Sequence, residues 1–431
     1  MVWFKKSVSS HPQLWFAGLR LSSRARKMEA ALIGIGDPNR DASIILQKCA
    51  SFDLPSEIPS LYEEILEELS REGSNGASNV RVASLAKTLK LRALVSELEE
   101  EALNEILSDS SIAKNALALV SLSEPRLQTE FEDVDGRIAS CRIGDSLALA
   151  GRTGLNILEA GASSDLADDQ ADLPWLAVRS VLLAENKRDK LVFDLGETAR
   201  WKYLPCRLDD PNASPNAYSG EIGPCGALLN RLAEEIGKGA VKIDFGGKLA
   251  VQGRRNPDLV NFWTEKVHGA KKNHELPLCY RLSPSSSTPN ELFFLNSLRE
   301  FDRQTSSLDA LCSATHWIAD AVVSVIEENV DKFAQSYDVV ISGGAKQNGL
   351  LYNKITNSLA NMSTPQVLHS LSEYGFVDDS FDAVATAAYG ALFTLGASIS
   401  INSRQVSFLG RVAPGSIDAW NTFVRSSRFD R

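Results

Sequence analysis

The sequence predicts an α/β protein built from two parts. Apolar runs of β-type residues at Ala31–Ile33, Leu191–Phe193 and Val339–Ile341 are each followed within a few residues by glycine, and helical patterns lie between them. Buried strands that alternate with helices are typical of α/β architecture. The chain has 431 residues. Because a single domain usually has about 150 residues, we expect two lobes, residues 1–190 and residues 191–431.

Composition and charge narrow the class of protein. With 44% hydrophobic and 23% charged residues, the chain is rich enough in apolar residues to form a large core, which excludes a disordered protein. Its formal net charge of −10 argues against nucleic acid as a partner. No run approaches the roughly 20 apolar residues of a membrane helix, and no signal-peptide pattern precedes the first predicted strand. We therefore expect a cytoplasmic protein that needs no membrane.

Cysteine and histidine usage predicts no metal site. The six cysteines are widely scattered without a CxxC pair, and none of the five histidines is at metal-ligand spacing from another. Free thiols in a reducing compartment are the simpler interpretation. The same scarcity of histidine leaves no Ser/His/Asp or Cys/His arrangement for nucleophilic catalysis.

Local patterns predict several elements. Apolar residues at helical spacing follow Ser60, which with Glu63 forms a capping-box pattern, and Gly73 is the expected end of this helix. A second amphipathic helix is predicted over 92–107. Stretches rich in Ser, Pro, Asn or Asp predict loops at 163–172, 209–219 and 283–290.

The clearest local signal is the glycine pair after the last buried run. Val339–Ile341 leads into Gly343 and Gly344, and a helix is predicted over 347–360. Glycine lets the backbone approach a ligand closely, and N–H groups at a helix start favour a nucleotide or phosphate. A tight turn that binds nothing is the alternative, and spacing alone does not exclude it.

Three weaker patterns suggest ligand binding, and each can also be interpreted as an ordinary turn or surface loop. Gly223 and Pro224 precede a predicted helix over 228–236 and form a second candidate ligand-facing turn. Hydroxyl groups in 285–288 suit a sugar, although a polar surface loop has the same composition. Gly34 and Gly36 match a fragment of a dinucleotide fingerprint without its third glycine, so we interpret them as a plain turn.

Taken in order, these segments resemble the anhydro-N-acetylmuramic acid kinase family over nearly the whole chain. Ser342–Ala345 is similar to the family's GGGA turn, and Glu373–Phe376 to its ELGI segment. Arg142–Asp145 followed by Arg152–Leu155 is similar to the QIGD…RTG stretch. Further matches are Asp244–Gly247 with Gly253, Ser287 and Thr288 with Glu291 and Phe293, and Phe408–Gly410 with Pro414 and Gly415.

The resemblance implies a two-lobed, actin-like (ribonuclease H-like) ATPase fold and a kinase that uses ATP and Mg²⁺. Family members phosphorylate 1,6-anhydro-N-acetylmuramic acid with opening of its ring, in recycling of cell-wall amino sugars. A homodimer is a further family-level expectation. On the nucleotide side the resemblance implies Ser22, Ser23, Gly196, Gly223, Pro224, Gly343 and Gly344. On the sugar side it implies Arg152, Ser287, Thr288 and Glu291.

The sequence departs from the family where the chemistry takes place. The family's SGTSxDG phosphate loop is Leu21–Lys27 here, and its acidic residue is Arg26. A carboxylate helps to hold Mg²⁺ and its waters, whereas a cation cannot. The NIGGIAN turn has become Asp194–Arg200, which places Glu197 where phosphate approaches.

The position of the catalytic base has also changed. In the family an aspartate after RTG takes the proton of the attacking water, and here that position is Ala160. Loss of a general base costs about 10²–10⁴-fold in rate. Glu159 and Asp165 are the candidate replacements. Glu159, however, is adjacent to Ala160 in an extended segment, so we expect its side chain to point to the opposite face.

Two hypotheses therefore stay open. In one, the chain is a working amino-sugar kinase with a relocated base. In the other, it is a catalytically silent pseudokinase that binds a ligand or regulates a partner.

Overall fold

The computed structural model describes residues 14–22, 25–36, 44–72, 78–108, 112, 114–123, 126–131, 137–161, 173–183, 188–205, 216–273, 288–301, 305–333, 337–362 and 366–427. Three of the candidate residues, Ser23, Asp165 and Ser287, lie outside these ranges, and so does the predicted loop over 163–172.

Strands and helices alternate along most of the chain. The strands are β1 (Leu14–Leu21), β2 (Lys27–Ile35), β3 (Ile44–Asp53), β4 (Leu117–Ser123), β5 (Arg126–Phe131), β6 (Arg137–Arg142), β7 (Ile157–Ala160), β8 (Asp189–Leu195), β9 (Thr198–Leu204), β10 (Tyr218–Pro224), β11 (Tyr337–Ser342), β12 (Leu368–Ser370), β13 (Ser398–Ile401), β14 (Arg404–Ser407) and β15 (Gly410–Ala413). The helices are α1 (Glu57–Glu72), α2 (Ser78–Ser108), α3 (Ser146–Thr153), α4 (Leu173–Leu183), α5 (Gly226–Ile236), α6 (Pro257–Asn273), α7 (Glu291–Phe301), α8 (Ser307–Glu328), α9 (Gly349–Ala360), α10 (Phe381–Thr394) and α11 (Ile417–Ser426).

The chain divides into two compact units, which confirms the expected α/β fold with two parts. Unit 1 is drawn from 1–187, 205–217 and 379–431, and unit 2 from 188–204 and 218–378. The chain first passes from unit 1 to unit 2 between residues 187 and 188, close to the boundary expected at residue 190. The structure differs from that expectation at the C-terminus, where the chain returns to unit 1. It does so because α10 packs on β1, β2 and β4, and β15 pairs with β7.

The two units repeat one strand order. In unit 1 the sheet runs β15-β7-β4-β1-β2-β3, and in unit 2 it runs β10-β9-β8-β11-β12. In each, three antiparallel strands (β1–β3 and β8–β10) are followed by two strands parallel to the first, which are β4 and β7 in unit 1 and β11 and β12 in unit 2. The three apolar runs noted in the sequence lie in β2 of unit 1 and in β8 and β11 of unit 2.

Close packing between α10 and the sheet of unit 1 depends on small residues. A Cβ at Gly18 would overlap the carbonyl of Ala383 and the backbone of Ala387. Ser121 likewise faces Gly390 of α10. Since interiors are packed as densely as organic crystals, glycine at these points lets the helix lie directly on β1 and β4.

Helix α8 forms the centre of unit 2. It is the one helix in the described ranges that is long and apolar enough to cross a membrane, but 78% of its most apolar window is buried inside the protein. It packs against α5, α6 and α9, and Trp317 on it contacts Phe294 with ring centroids 4.5 Å apart. Burial lowers the pKa of His316 on this helix to about 4, with further lowering by Lys354 and Arg255.

A buried ionic cluster joins the first residues of β8 and β11. The Lys190 ammonium donates to Asp338 Oδ2 (2.7 Å) and to the carbonyl of Arg188 (2.8 Å), and the Tyr374 hydroxyl donates to the same carboxylate (3.2 Å). Arg188 adds an ion pair to Asp338 Oδ1 at 3.0 Å. Burial alone would raise the pKa of Asp338, but Lys190 and Arg188 bring it below its usual value.

The predicted helices form, with one correction. The helices expected over 228–236 and 347–360 are α5 and α9, and the one over 92–107 is part of α2. Ser60 as N-cap is wrong, because α1 begins at Glu57 and the Ser60 hydroxyl donates to the carbonyl of Ser56 (2.8 Å) inside the first turn.

Candidate functional site

The glycine turns of unit 2 meet at one edge of its sheet. Gly196 follows β8 and Gly343 follows β11, and these two strands are parallel neighbours, so their carboxyl ends lie side by side. Gly343 has a φ of 92°. A Cβ there would lie 2.6 Å from the carbonyl oxygen of Leu195 and 2.7 Å from the nitrogen of Gly196. The two turns are thus in direct backbone contact.

Gly223 and Pro224 do not form the predicted ligand-facing turn, because they are the last residues of β10 and pair with β9; the chain after them joins the same cluster at the start of α5. The N–H of Gly226 donates to the carbonyl of Gly196 (2.9 Å), and the N–H of Cys225 donates to that of Glu197 (2.8 Å). The N–H of Ala227 also donates to Glu197 (3.1 Å). These N–H groups at a helix start are the ones that bind anions. Here they are used to hold the turn after β8.

Gly344 is the open part of this cluster. A Cβ placed on it would meet nothing within 4 Å, in contrast to Gly343 beside it. Side chains of the next turn are engaged, because Lys346 forms an ion pair with Asp378 and Asn348 caps α9 by accepting from the N–H of Leu351 (3.1 Å). The backbone at Gly344 therefore remains accessible to a ligand.

Two carboxylates near these turns escaped the sequence analysis as site residues. Asp194 is the penultimate residue of β8. Its Oδ1 lies 3.8 Å from the position of a Cβ on Gly196, and Lys202 Nζ lies 3.7 Å from its Oδ2. Asp244 is buried and accepts from the N–H groups of Leu249 (2.7 Å) and Ala250 (3.1 Å). Asp244 is therefore structural, whereas Asp194 is a charged group at the candidate site. Its position two residues before a glycine was the available signal.

The Cys225 thiol between these turns is inert. Burial raises its pKa to about 12. A thiol with so high a pKa stays protonated near neutral pH and is a poor nucleophile. Of the cysteines whose surroundings are described, Cys49, Cys225 and Cys312 are free.

In unit 1 the described residues of the predicted phosphate loop, 21–22 and 25–27, lie at the joined ends of the antiparallel strands β1 and β2 and between them. The Ser22 hydroxyl accepts from the N–H groups of Arg26 (3.0 Å) and Lys27 (2.9 Å). Arg26 pairs with Glu63 of α1 at 3.1 Å. The described part of this turn thus offers a cation and an engaged hydroxyl, which do not fit Mg²⁺. No group of three His, Cys, Asp or Glu residues that would hold a metal occurs among the described residues.

Glu159 points to the α3 side of the sheet. The Ser146 hydroxyl at the start of α3 donates to Glu159 Oε1, and Arg142 Nε lies 3.5 Å from Oε2. Both Glu159 and Arg142 are largely buried. An ion pair with an added hydroxyl donor holds this carboxylate in place.

Ala160 faces the other side. Along β7, the side chains of Leu158 and Ala160 point to one face of the sheet and that of Glu159 points to the other. Leu158 pairs in register with Ser121 of β4. Ser121 in turn lies against Gly390 of α10. Ala160 therefore faces the α10 side, so the expectation that Glu159 and Ala160 diverge agrees with the geometry.

One carboxylate does lie on the α10 side, and the sequence analysis did not find it. Asp382, in the first turn of α10, accepts from Arg179 Nη2 (2.7 Å) and pairs with Arg20 Nη2 (2.8 Å). Arg20 also donates to Glu29 (3.1 Å). Two guanidinium groups thus hold the Asp382 oxygens. It lies more than 200 positions from both β7 and Arg179, so no local pattern could reveal it.

The candidate sugar residues are divided between the units. Arg152 in unit 1 donates to Glu100 Oε2 (2.7 Å) and to the carbonyl and hydroxyl oxygens of Ser96 (2.7 and 2.9 Å), which fastens α3 to α2. Thr288 and Glu291 in unit 2 are buried at the start of α7. The contacts of Arg152 are those of a structural residue.

The glycine turns lie at the carboxyl ends of parallel strands, where open α/β sheets bind their ligands. The model of the anhydro-N-acetylmuramic acid kinase family matches residues 49–411. The chain belongs to this family.

Individual relatives are distant. The chain is 20% identical to an anhydro-N-acetylmuramic acid kinase of Caldanaerobacter subterraneus, over 86% of this chain and 88% of the relative. It is 22% identical to that of Gloeothece citriformis, over 87% and 90%, and 22% identical to that of Acidithiobacillus ferrooxidans, over 65% and 67%.

Among solved structures, the chain is similar to the activator of the 2-hydroxyisocaproyl-CoA dehydratase from Clostridium difficile with bound ADPNP, with a TM-score of 0.38 and 12% identity over 87% of this chain and 94% of the other. A ROK hexokinase from Thermus thermophilus gives a TM-score of 0.35 and 12% identity over 87% and 97%.

Proposed function

We propose that this chain is an anhydro-N-acetylmuramic acid kinase family protein whose phosphoryl transfer is strongly impaired. The ancestral reaction would be ATP-dependent phosphorylation of 1,6-anhydro-N-acetylmuramic acid with ring opening, in the cytoplasm. The observation that carries the proposal is the divergence of Ala160 and Glu159. A methyl group occupies the base position, and the adjacent carboxylate is held on the opposite face by Arg142 and Ser146.

The phosphate side supports the same conclusion. Arg26 is held by Glu63 in the turn where the family places a Mg²⁺-side carboxylate. Magnesium in phosphoryl transfer neutralises charge that develops on the phosphate oxygens. A turn that presents a guanidinium in place of a carboxylate would hold the metal poorly.

Ligand binding is proposed to survive in unit 2. Gly343 and Gly196 are in close backbone contact, Gly344 follows Gly343, and Gly223 and Pro224 lead into the start of α5, which bonds to the turn after β8. We assign nucleotide binding to this cluster, with Gly344 as its accessible point, and assign Thr288 and Glu291 to the sugar side. This retention favours the second candidate function, a pseudokinase that binds a ligand and regulates a partner.

Separate measurements of binding and turnover test both candidates. Purified chain is titrated with ATP, with and without Mg²⁺, by calorimetry, and the same preparation is incubated with γ-labelled ATP and the anhydro sugar. We expect measurable ATP binding that Mg²⁺ changes little, and labelled sugar phosphate at a rate at least about 10²-fold below that of an active relative. A rate within about ten-fold of that relative, proportional to protein concentration, would refute the impairment. Absence of any nucleotide binding by the folded protein would refute the role given to the glycine cluster.

A further inference from the structure

The turn after β11 carries a cation of its own, and an ion pair already neutralises it. Lys346 lies in the single helical turn Gly344–Gln347, two residues after the accessible backbone of Gly344. Its ammonium pairs with the carboxylate of Asp378, the last residue of unit 2, and both side chains are only 20% exposed. We call this ion pair between Lys346 and Asp378 the latch.

The carboxylate of the latch is incompletely bonded. Oδ2 of Asp378 accepts from Lys346, whereas Oδ1 is buried and has no hydrogen-bond partner among the described residues. A buried polar atom without a partner has lost its hydration with nothing to compensate for it. The latch therefore gains less than a fully bonded pair would. An anion that offers several oxygens to Lys346 can compete with Asp378 for it.

The other charged groups at this sheet edge make a cation necessary for an anionic ligand. The turn after β8 is in backbone contact with the turn after β11, and it brings the carboxylates of Asp194 and Glu197 to this edge. Lys202 Nζ lies 3.7 Å from the Asp194 carboxylate, so its charge is partly offset. In kinases the negative charge of the phosphates is neutralised by metal ions and basic side chains. Beside two carboxylates, phosphates at Gly344 would need such a cation.

Lys346 is placed to supply this charge. Its N–H donates to the carbonyl of Gly343 (3.3 Å), so the side chain starts from the same tight turn. The Cα atoms of Lys346 and Gly344 are at most about 7 Å apart, and the lysine side chain is long and flexible. We propose that Lys346 binds the phosphates of a nucleotide at this turn, and that the latch must open for it to do so. This proposal rests on the nucleotide role given above to the turn.

The two sides of the latch should affect binding in opposite directions, whereas the two sides of a purely structural ion pair would not. Calorimetric titration with ATP, without Mg²⁺, compares the parent chain with K346M and D378N. K346M should bind ATP at least about ten-fold more weakly, because a charge-assisted hydrogen bond is lost. D378N should bind about five-fold more tightly, the factor expected if Lys346 is free in about one parent molecule in five. K346R keeps the charge and should bind ATP better than K346M.

Adenosine and a second ion pair are the controls. Adenosine has no phosphates, so its affinity should be equal for the parent chain, K346M and D378N. E300Q removes the ion pair of Lys266 on α6 with Glu300 on α7, also in unit 2, and should bind ATP like the parent.

The outcomes separate this proposal from the one on which it rests. ATP binding that is equal in the parent, K346M and D378N, or weakened in both variants, would overturn the latch and leave the nucleotide role of the turn intact. Weaker adenosine binding in both variants would also overturn it, because the ion pair would then only support the turn. No ATP binding by the parent or by any variant would overturn the nucleotide role and the latch together.

Discussion

Replacing Gly343 by alanine should disrupt the sheet edge of unit 2 where the turns after β8 and β11 meet, while the same change one residue later should not. At Gly343 the φ of 92° and ψ of 157° lie in a region that is essentially restricted to glycine. The added methyl group would also lie 2.6 Å from the carbonyl oxygen of Leu195 and 2.7 Å from the nitrogen of Gly196, which are backbone atoms that cannot rotate away.

The magnitude follows from these two terms. The backbone conformation costs a non-glycine residue about 1–3 kcal/mol, and overpacking against fixed atoms costs about 1–3 kcal/mol more. G343A should therefore lose about 2–6 kcal/mol in the free energy of unfolding. G344A meets nothing within 4 Å, and its effect should stay within about 1 kcal/mol of zero, with reduced unfolded-state entropy as the main contribution.

Urea unfolding followed by tryptophan fluorescence measures this difference, since Trp201 and Trp317 both lie in unit 2. The midpoint of G343A should fall well below that of G344A, and G343A should also lose ATP binding. Equal midpoints for the two variants would show that the turns after β8 and β11 are not in close backbone contact.

Three further predictions concern the buried charges and the candidate base. D338N should destabilise unit 2 by about 3–5 kcal/mol in urea unfolding, because it leaves the Lys190 ammonium buried without its carboxylate. D338N/K190M should recover part of this loss. Full stability of D338N alone would contradict the buried ionic cluster. Because the pKa of His316 is about 4 in the folded protein and about 6.5 when unfolded, the unfolded state takes up the proton first. Stability should therefore fall by about 1–2 kcal/mol between about pH 7 and pH 5. H316Q should remove this dependence of stability on pH. If stability of H316Q varies with pH as it does in the parent chain, the low pKa assigned to His316 is refuted. E159Q should leave any residual phosphoryl transfer within about two-fold of the parent, whereas a loss of about 10²-fold would identify Glu159 as a working base.

Much of the fold was predictable from local patterns. The runs at Leu191–Phe193 and Val339–Ile341 are buried strands because each is apolar, short and followed by glycine, which also marks where the chain turns at the sheet edge. The return of α10 and β15 to unit 1 was not predictable in this way. It depends on Gly18 meeting Ala383 and on β15 pairing with β7, which are contacts between residues far apart in the sequence.

The site was predictable in its residue types and less so in its contacts. Alternation along an extended strand was enough to expect that Glu159 and Ala160 diverge. The partners that hold Glu159, Arg142 and Ser146, become visible only when β6, α3 and β7 are assembled. Similarly, Ser22 is a reasonable phosphate ligand by position. Its hydroxyl is nevertheless engaged by its own turn, which depends on backbone geometry rather than residue type.

The central claim is that this family member transfers phosphate poorly because no carboxylate serves at the Ala160 position. Its most direct test is the rate of labelled sugar phosphate formation, measured side by side with the Caldanaerobacter subterraneus relative at equal protein concentration and saturating substrates. We predict that this chain is slower by at least about 10²–10⁴-fold, the cost of a missing general base. A rate within about ten-fold of the relative, from a preparation free of contaminating kinase, would contradict the account.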